Sequence, residues 1–113
     1  MPSRIANQAA ELAIQSMTRI SSADTTSYRL RPDEVNVEVT TDATHALELF
    51  MPSVAECPGV TFTVFFKTDG GQDVTVKDSA GNQIGVPLVK AGDNQVLYSN
   101  GFRLSLILQV IVG

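Results

Sequence analysis

From Val35 to Val112 the chain alternates between apolar and polar positions. Val35, Val37 and Val39 fall on one side of an extended backbone, and Asn36, Glu38 and Thr40 on the other. Leu47, Leu49 and Met51 alternate with Glu48 and Phe50. Val60, Phe62, Val64 and Phe66 alternate with Thr61, Thr63 and Lys67. Val74 and Val76 are set against Thr75 and Lys77, and Val96 and Tyr98 against Gln95. Phe102, Leu104, Leu106, Leu108, Val110 and Val112 form the last and longest set. Successive side chains on a strand point to opposite faces, so each run predicts a half-buried strand. The separators carry turn chemistry: Asp69-Gly70-Gly71, Ser79-Ala80-Gly81-Asn82, Gly92-Asp93-Asn94 and Asn100-Gly101. Such residues supply the positive φ angles of tight hairpins. Strands about ten residues apart with these turns predict a mainly β fold, an antiparallel β-sandwich or barrel with jelly-roll-like character.

The first quarter of the chain has a different period. Ile5, Ala9, Leu12, Ser16 and Ile20 recur at spacings of three and four, which predicts a helix over residues 4 to about 20, with Ser3 as the candidate cap. A helix of this length is marginal alone in water, so it must dock on the β domain, dock on another subunit or remain an arm until assembly. The polar stretch Ser21–Ser27 separates it from the rest, and residues 28–31 predict a short strand stopped by Pro32. The expected organisation is a helical or extended arm and linker over residues 1–27 and a β domain over residues 28–113.

Three apolar residues fall out of phase. Phe65 lies on the polar side of its strand, and Ile107 and Ile111 lie on the polar side of the last one. A strand apolar on both faces is buried on both, either by a neighbouring subunit or by the N-terminal helix. Ile5, Leu12 and Ile20 of the arm, with Phe65, Ile107 and Ile111, are therefore the candidate interface residues.

Composition narrows the function classes. At 113 residues the chain is one domain of a size that buries about two-thirds of its unfolded surface. Apolar residues make up 43% and charged ones 18%, so uncharged polar residues must cover much of the surface. A formal net charge of −4 argues against nucleic-acid binding as the main role, because phosphate contacts need clustered basic residues. Arg4, Arg19, Arg29 and Arg31 give the first third only a mild basic bias. The single cysteine, Cys57, allows no internal disulfide, which fits folding in a reducing cytoplasm. Met1-Pro2-Ser3-Arg4 leads into a mixed polar stretch rather than an apolar signal region. The longest apolar run, Leu104–Val112, is too short to cross a bilayer as a helix. The expectation is a soluble protein with no membrane partner.

Candidate chemistry is sparse. His45 is the one histidine and has no second ligand at metal-binding spacing. Cys57 has no basic neighbour in sequence to activate it. Asp69, Asp73, Asp78 and Asp93 sit at turns, where aspartate caps its own loop more often than it binds calcium, and no EF-hand spacing is present. No phosphate-binding glycine motif occurs. With seven aromatic residues and no Trp, a sugar-stacking platform would be thin, Tyr28 and Tyr98 being its candidates. No catalytic, cofactor-binding or metal-ligating residues are expected.

One stretch carries a resemblance. Met51-Pro52-Ser53, Pro58-Gly59, Phe62-Thr63-Val64, Lys67-Thr68-Asp69, Val74-Thr75-Val76 and Val96-Leu97-Tyr98 follow one another between Leu49 and Tyr98. This series resembles a small β-module of tailed-bacteriophage virion proteins, found in fibre and head-decoration proteins. Where that module often ends in Ser-Asp-Gly-Thr-x-Trp, this chain has Ser99-Asn100-Gly101-Phe102 and lacks the Trp. The resemblance covers under half of the chain. It implies a non-enzymatic structural part of a virion, made in the host cytoplasm and carried on the capsid surface. The major capsid protein and copies of itself would be its partners, in a homotrimer. The leading expectation is a capsid decoration (cement) protein whose arm residues contribute about 1–3 kcal/mol each when fully buried, multiplied by avidity over a shell. The alternative is a tail- or fibre-associated adhesin domain that binds host glycan.

Overall fold

The computed structural model describes residues 17–112. Eight strands follow one another: β1 (Met17–Ser21), β2 (Ser27–Arg29), β3 (Asn36–Thr40), β4 (Leu47–Phe50), β5 (Val60–Thr68), β6 (Val74–Lys77), β7 (Asn94–Ser99) and β8 (Leu104–Val110), with one 3-10 turn at Val54–Glu56. They form two sheets, a five-stranded one in the order β1-β3-β5-β7-β8 and a three-stranded one in the order β2-β4-β6.

The fold is mainly β, as the alternation predicts, but one sheet is mixed and the other parallel, rather than both antiparallel. From β1 to β6 the chain changes sheet at every connection, so each strand lies beside the strand two before it. The two run in the same direction: β1, β3 and β5 pair in parallel, and so do β2, β4 and β6. Only β5–β7 and β7–β8 are antiparallel. The Asp69-Gly70-Gly71 turn therefore bridges two sheets instead of closing a hairpin. Asn100-Gly101 does close one, between β7 and β8.

The connections from the first sheet to the second stack on one another. The Thr41 hydroxyl donates to the Gln72 carbonyl (2.7 Å), the Asp42 N–H to the Ser22 hydroxyl (2.9 Å) and the Gln72 side-chain amide to the Ala43 carbonyl (3.0 Å). Gly70 is required here, because a Cβ would collide with the Thr41 carbonyl oxygen.

The core lies between the sheets. Val37, Val39, Phe62, Val64, Phe66 and Leu97 enter it from one side, and Leu47, Leu49, Val74 and Val76 from the other, all at most 3% exposed. The alternating sets of β3 to β6 thus point where their period places them.

The expected helix over residues 4–20 meets a correction at its C-terminal end. Met17–Ser21 is a strand, paired along its whole length with β3. Ile20 satisfies a period of two as well as one of four, and Thr18 and Ile20 both favour an extended backbone. The segment 17–27, expected within an arm and linker, therefore carries β1 and the start of β2. The rest of the predicted helix, with Ile5 and Leu12, lies outside the described residues.

Candidate functional site

The two sheets turn very different faces outward. On the three-stranded sheet the outward row Arg29–Phe50–Lys77 places the Arg29 guanidinium 5.0 Å and the Lys77 ammonium 5.6 Å from the centre of the Phe50 ring. In the next row Lys77 reaches Glu48 at 2.8 Å. The one aromatic ring on this face is covered by cations, and the face is polar.

The five-stranded sheet is divided. Its outward rows run Met17–Asn36–Thr63–Val96–Leu108 and Arg19–Glu38–Phe65–Asn94–Val110. Toward β1 the face is charged: Glu38 receives Lys67 at 3.2 Å and Arg19 at 3.6 Å. Toward β8 it is apolar, formed by Phe65, Val96, Tyr98, Leu108 and Val110. Phe65 is 41% and Leu108 51% exposed. No described segment covers this half.

The edge at β8 departs from simple alternation for an identifiable reason. Val96 pairs with Leu108 and Leu97 with Leu106, so Ile107 is an extra residue in a β-bulge. A bulge shifts the phase of everything beyond it. Leu104 and Leu106 face the core side before it, Gln109 does so after it, and Leu108 and Val110 turn outward. The single apolar set from Phe102 to Val112 is corrected accordingly. The β7 phase is corrected too: Gln95, Leu97 and Ser99 are buried, while Val96 and Tyr98 face out. Gln95 is tolerated inside because its amide donates to the carbonyls of Ile84 and Val86, both at 3.2 Å, although its Oε1 has no partner. Gln109 clamps the same loop, its Oε1 accepting from the Val86 N–H (3.1 Å) and its Nε2 donating to the Val86 carbonyl (2.7 Å).

Of the candidate interface residues, Phe65, Ile107 and Ile111 are exposed, the last two at 60% and 52%. Ile20 is not on an arm. It is 5% exposed in the core beside Val39, so its candidacy as an interface residue is withdrawn. Leu108, Val110, Tyr98 and Phe102 belong to the exposed apolar surface but were hidden in sequence among residues assigned inward. The adjacent run Leu106-Ile107-Leu108 was the available signal, since three consecutive apolar residues cannot all share one face of a regular strand.

The ionisable groups serve the scaffold. Glu34 is buried. It accepts from the Tyr28 hydroxyl (2.7 Å), the Arg31 N–H (2.8 Å) and the Thr18 hydroxyl (3.1 Å), which ties β1 and β2 to the turn between β2 and β3. Burial pushes its pKa up, but these hydrogen bonds and the Arg31 charge outweigh it and hold the carboxyl below its ordinary value. The bond to Glu34 and partial burial raise the Tyr28 phenol. Asp93 is fully buried, and its carboxylate accepts the N–H groups of Val112 (2.7 Å), Val89 (2.9 Å) and Lys90 (3.1 Å). Here too burial opposes ionisation, and the three N–H donors with the Lys90 charge prevail, leaving the pKa lowered. Asp69 and Asp78 cap their own turns. His45 pairs with Asp42 at 2.9 Å on the surface. The His45 side-chain hydrogen bond lowers the Asp42 carboxyl against the opposing effect of burial, with help from the N–H groups of His45 and Thr44. Cys57 is buried with its thiol on the Ser53 carbonyl at 3.3 Å. Among the described residues no three His, Cys, Asp or Glu side chains are grouped to hold a metal ion.

A shallow cleft of about 310 Å³ lies between Pro52-Ser53-Val54, Asp78-Ser79, Ile84 and Phe102-Arg103-Leu104. Phe102, at its rim, is 93% exposed. No protein-family model, curated protein or solved structure matches the chain.

Proposed function

We propose that this chain is a structural protein of a tailed-bacteriophage virion, a capsid decoration (cement) protein that attaches to the major capsid protein through the outer face of its five-stranded sheet. The observation that carries the reading is the asymmetry of the two outer faces. One is polar and ion-paired. The other has Phe65, Tyr98, Leu108 and Val110 uncovered by any described residue, continuous with Ile107 and Ile111 at its edge and Phe102 at the adjoining hairpin tip. Together these exposed side chains amount to on the order of 800 Å², above the 300–600 Å² typical of the largest apolar patch on a monomer. Burial of such a face holds a module in place without chemistry, and copies repeated over a shell add by avidity. The resemblance of residues 49–98 to phage virion modules supplies the assignment to a virion. Immunogold labelling of intact particles tests it. Gold spread over the head supports decoration, gold on the tail alone overturns it, and particles without label overturn both a head and a tail role.

The second reading, a glycan-binding adhesin domain, is favoured by the cleft beside Phe102. An exposed ring lining the same cleft as Arg103, Ser53 and Ser79 offers residue types that stack and hydrogen-bond a sugar. Glycan-array binding lost in Phe102→Ala and retained in Phe65→Ser would support it over attachment through the sheet face.

A further inference from the structure

The edges of the two sheets are treated unequally. In the three-stranded sheet the free side of β6 is closed by the segment 82–88, which bonds back to Val74, Val76 and Asp78. In the five-stranded sheet β8 has no neighbour beyond it among the described residues. Natural edge strands are normally blunted with charge, proline or a β-bulge, and the bulge of β8 lies at Ile107, before the segment Leu108–Val112. From Leu104 to Val112 the sequence is Leu-Ser-Leu-Ile-Leu-Gln-Val-Ile-Val, without a charge or a proline.

The direction of the free backbone groups follows from the hydrogen bonds of β7. The carbonyls of Asp93 and Ser99 accept from Phe66 and Gly59, on the β5 side. Alternation then turns Asn94 and Val96 toward β8, where Val110 and Leu108 answer them. The Val112 N–H also points inward, to Asp93. Gln109 and Ile111 therefore direct their N–H and C=O groups away from the sheet.

We propose that this edge pairs with the same edge of a second copy, antiparallel and about a two-fold axis through Val110. In that register Gln109 and Ile111 exchange backbone hydrogen bonds with Ile111 and Gln109 of the second copy. Val110 meets its own counterpart, and Leu108 meets Val112. No like charges are brought together, because the segment has none. In that register the side chains of Leu108, Val110, Ile111 and Val112, which together expose roughly 300 Å² per copy, flank the backbone ladder, a contact at the small end of specific interfaces. The two-fold axis of an antiparallel pair stands perpendicular to the sheet, so the outer faces of both copies look the same way. Such an isologous contact closes at two copies, where the virion resemblance implies three.

Sedimentation velocity of the full chain at micromolar concentration, with two sets of variants, tests this. The unaltered chain is expected to be a dimer. Ile111→Pro removes an N–H that the monomer does not use and should weaken the dimer at least about tenfold. Val110→Cys places two thiols at the axis, within the Cα separation a disulfide spans, and should cross-link the dimer on mild oxidation. Val86→Cys, exposed but off the edge, should not; the native Cys57 is buried and silent. A trimer overturns the proposal. So does a dimer that neither cross-links at position 110 nor responds to Ile111→Pro. A monomeric full chain also overturns it, and leaves the edge to residues 1–16 of the same chain or to the capsid.

Discussion

Replacing Asp93 by Asn is the sharpest test of how the end of β8 is held. The carboxylate is fully buried and receives three backbone N–H groups, from Val89 and Lys90 on Oδ2 and from Val112 on Oδ1. An amide keeps one acceptor oxygen and turns an NH₂ group toward donors that need an acceptor. Hydrogen bonds to a charged group contribute about 1.5–3 kcal/mol each, and a buried donor left without a partner costs about 1–3 kcal/mol. Losing at least one and weakening the others should destabilise the fold by about 2–4 kcal/mol, a large share of the roughly 5–15 kcal/mol available to a domain. Urea unfolding followed by far-UV circular dichroism should show the midpoint falling by about 1–2 M with an unchanged slope. The pH dependence carries a second signature. Because the folded pKa is lowered, the stabilisation is present above the ordinary carboxylate pKa and is lost as pH falls through the folded value. The gap between the two proteins should therefore narrow in acid. A midpoint within about 0.3 M of the parent at neutral pH, or a gap that stays constant as pH falls, would refute the reasoning.

Gly85→Ala should lower stability by about 1–3 kcal/mol, because Gly85 has a φ of +65° and its Cβ would collide with Gln109 Oε1 and lie 2.9 Å from Gln95 Nε2; thermal unfolding measures it. Glu34→Gln should remove about 1–3 kcal/mol at neutral pH. It should also remove the part of the acid sensitivity that sets in as pH falls below the ordinary glutamate pKa toward the lowered folded one, seen in midpoints compared across that window. Phe65→Ser, on the outer face of the five-stranded sheet, should lower stability by about 1–2 kcal/mol, because the ring is more than half buried on its strand, and under the proposed decoration role it should reduce attachment in a particle co-sedimentation assay; equal attachment would place the contact elsewhere.

The individual strands were legible because burial imposes a period of two, and the cores of β3, β4, β5 and β6 sit where that period puts them. What the period does not encode is which sheet a strand joins or which way its neighbour runs. A tight hairpin and a bridge between sheets use the same Asp and Gly residues, so Asp69-Gly70-Gly71 reads alike in both. Polar residues facing the core misled the phase of β7: Gln95 and Ser99 are inside only because the carbonyls of Ile84, Val86 and Val54 are there to receive them. In β1, Ile20 fits two periods, and pairing with β3 decides between them. Phe65, Ile107 and Ile111 were readable as exposed apolar residues because each breaks alternation. Leu108 and Val110 were not assigned outward, since the run Leu106-Ile107-Leu108 signals that one apolar residue must turn out but not which, the bulge being a backbone event without a fixed residue signature.

The alternation of consecutive strands between sheets also bears on how the molecule forms. Each parallel pair joins strands separated by an intervening strand and two connections, so loop-closure entropy precedes every rung of those ladders. Among the described strands the one short-range pair, β7–β8, comes last. During synthesis the earlier strands must therefore wait in company without a local partner, and folding should run on the millisecond-to-second scale of β topologies rich in distant contacts. Refolding on dilution from urea should be rate-limited by assembly of the parallel ladders, with the β7–β8 hairpin offering a quick foothold.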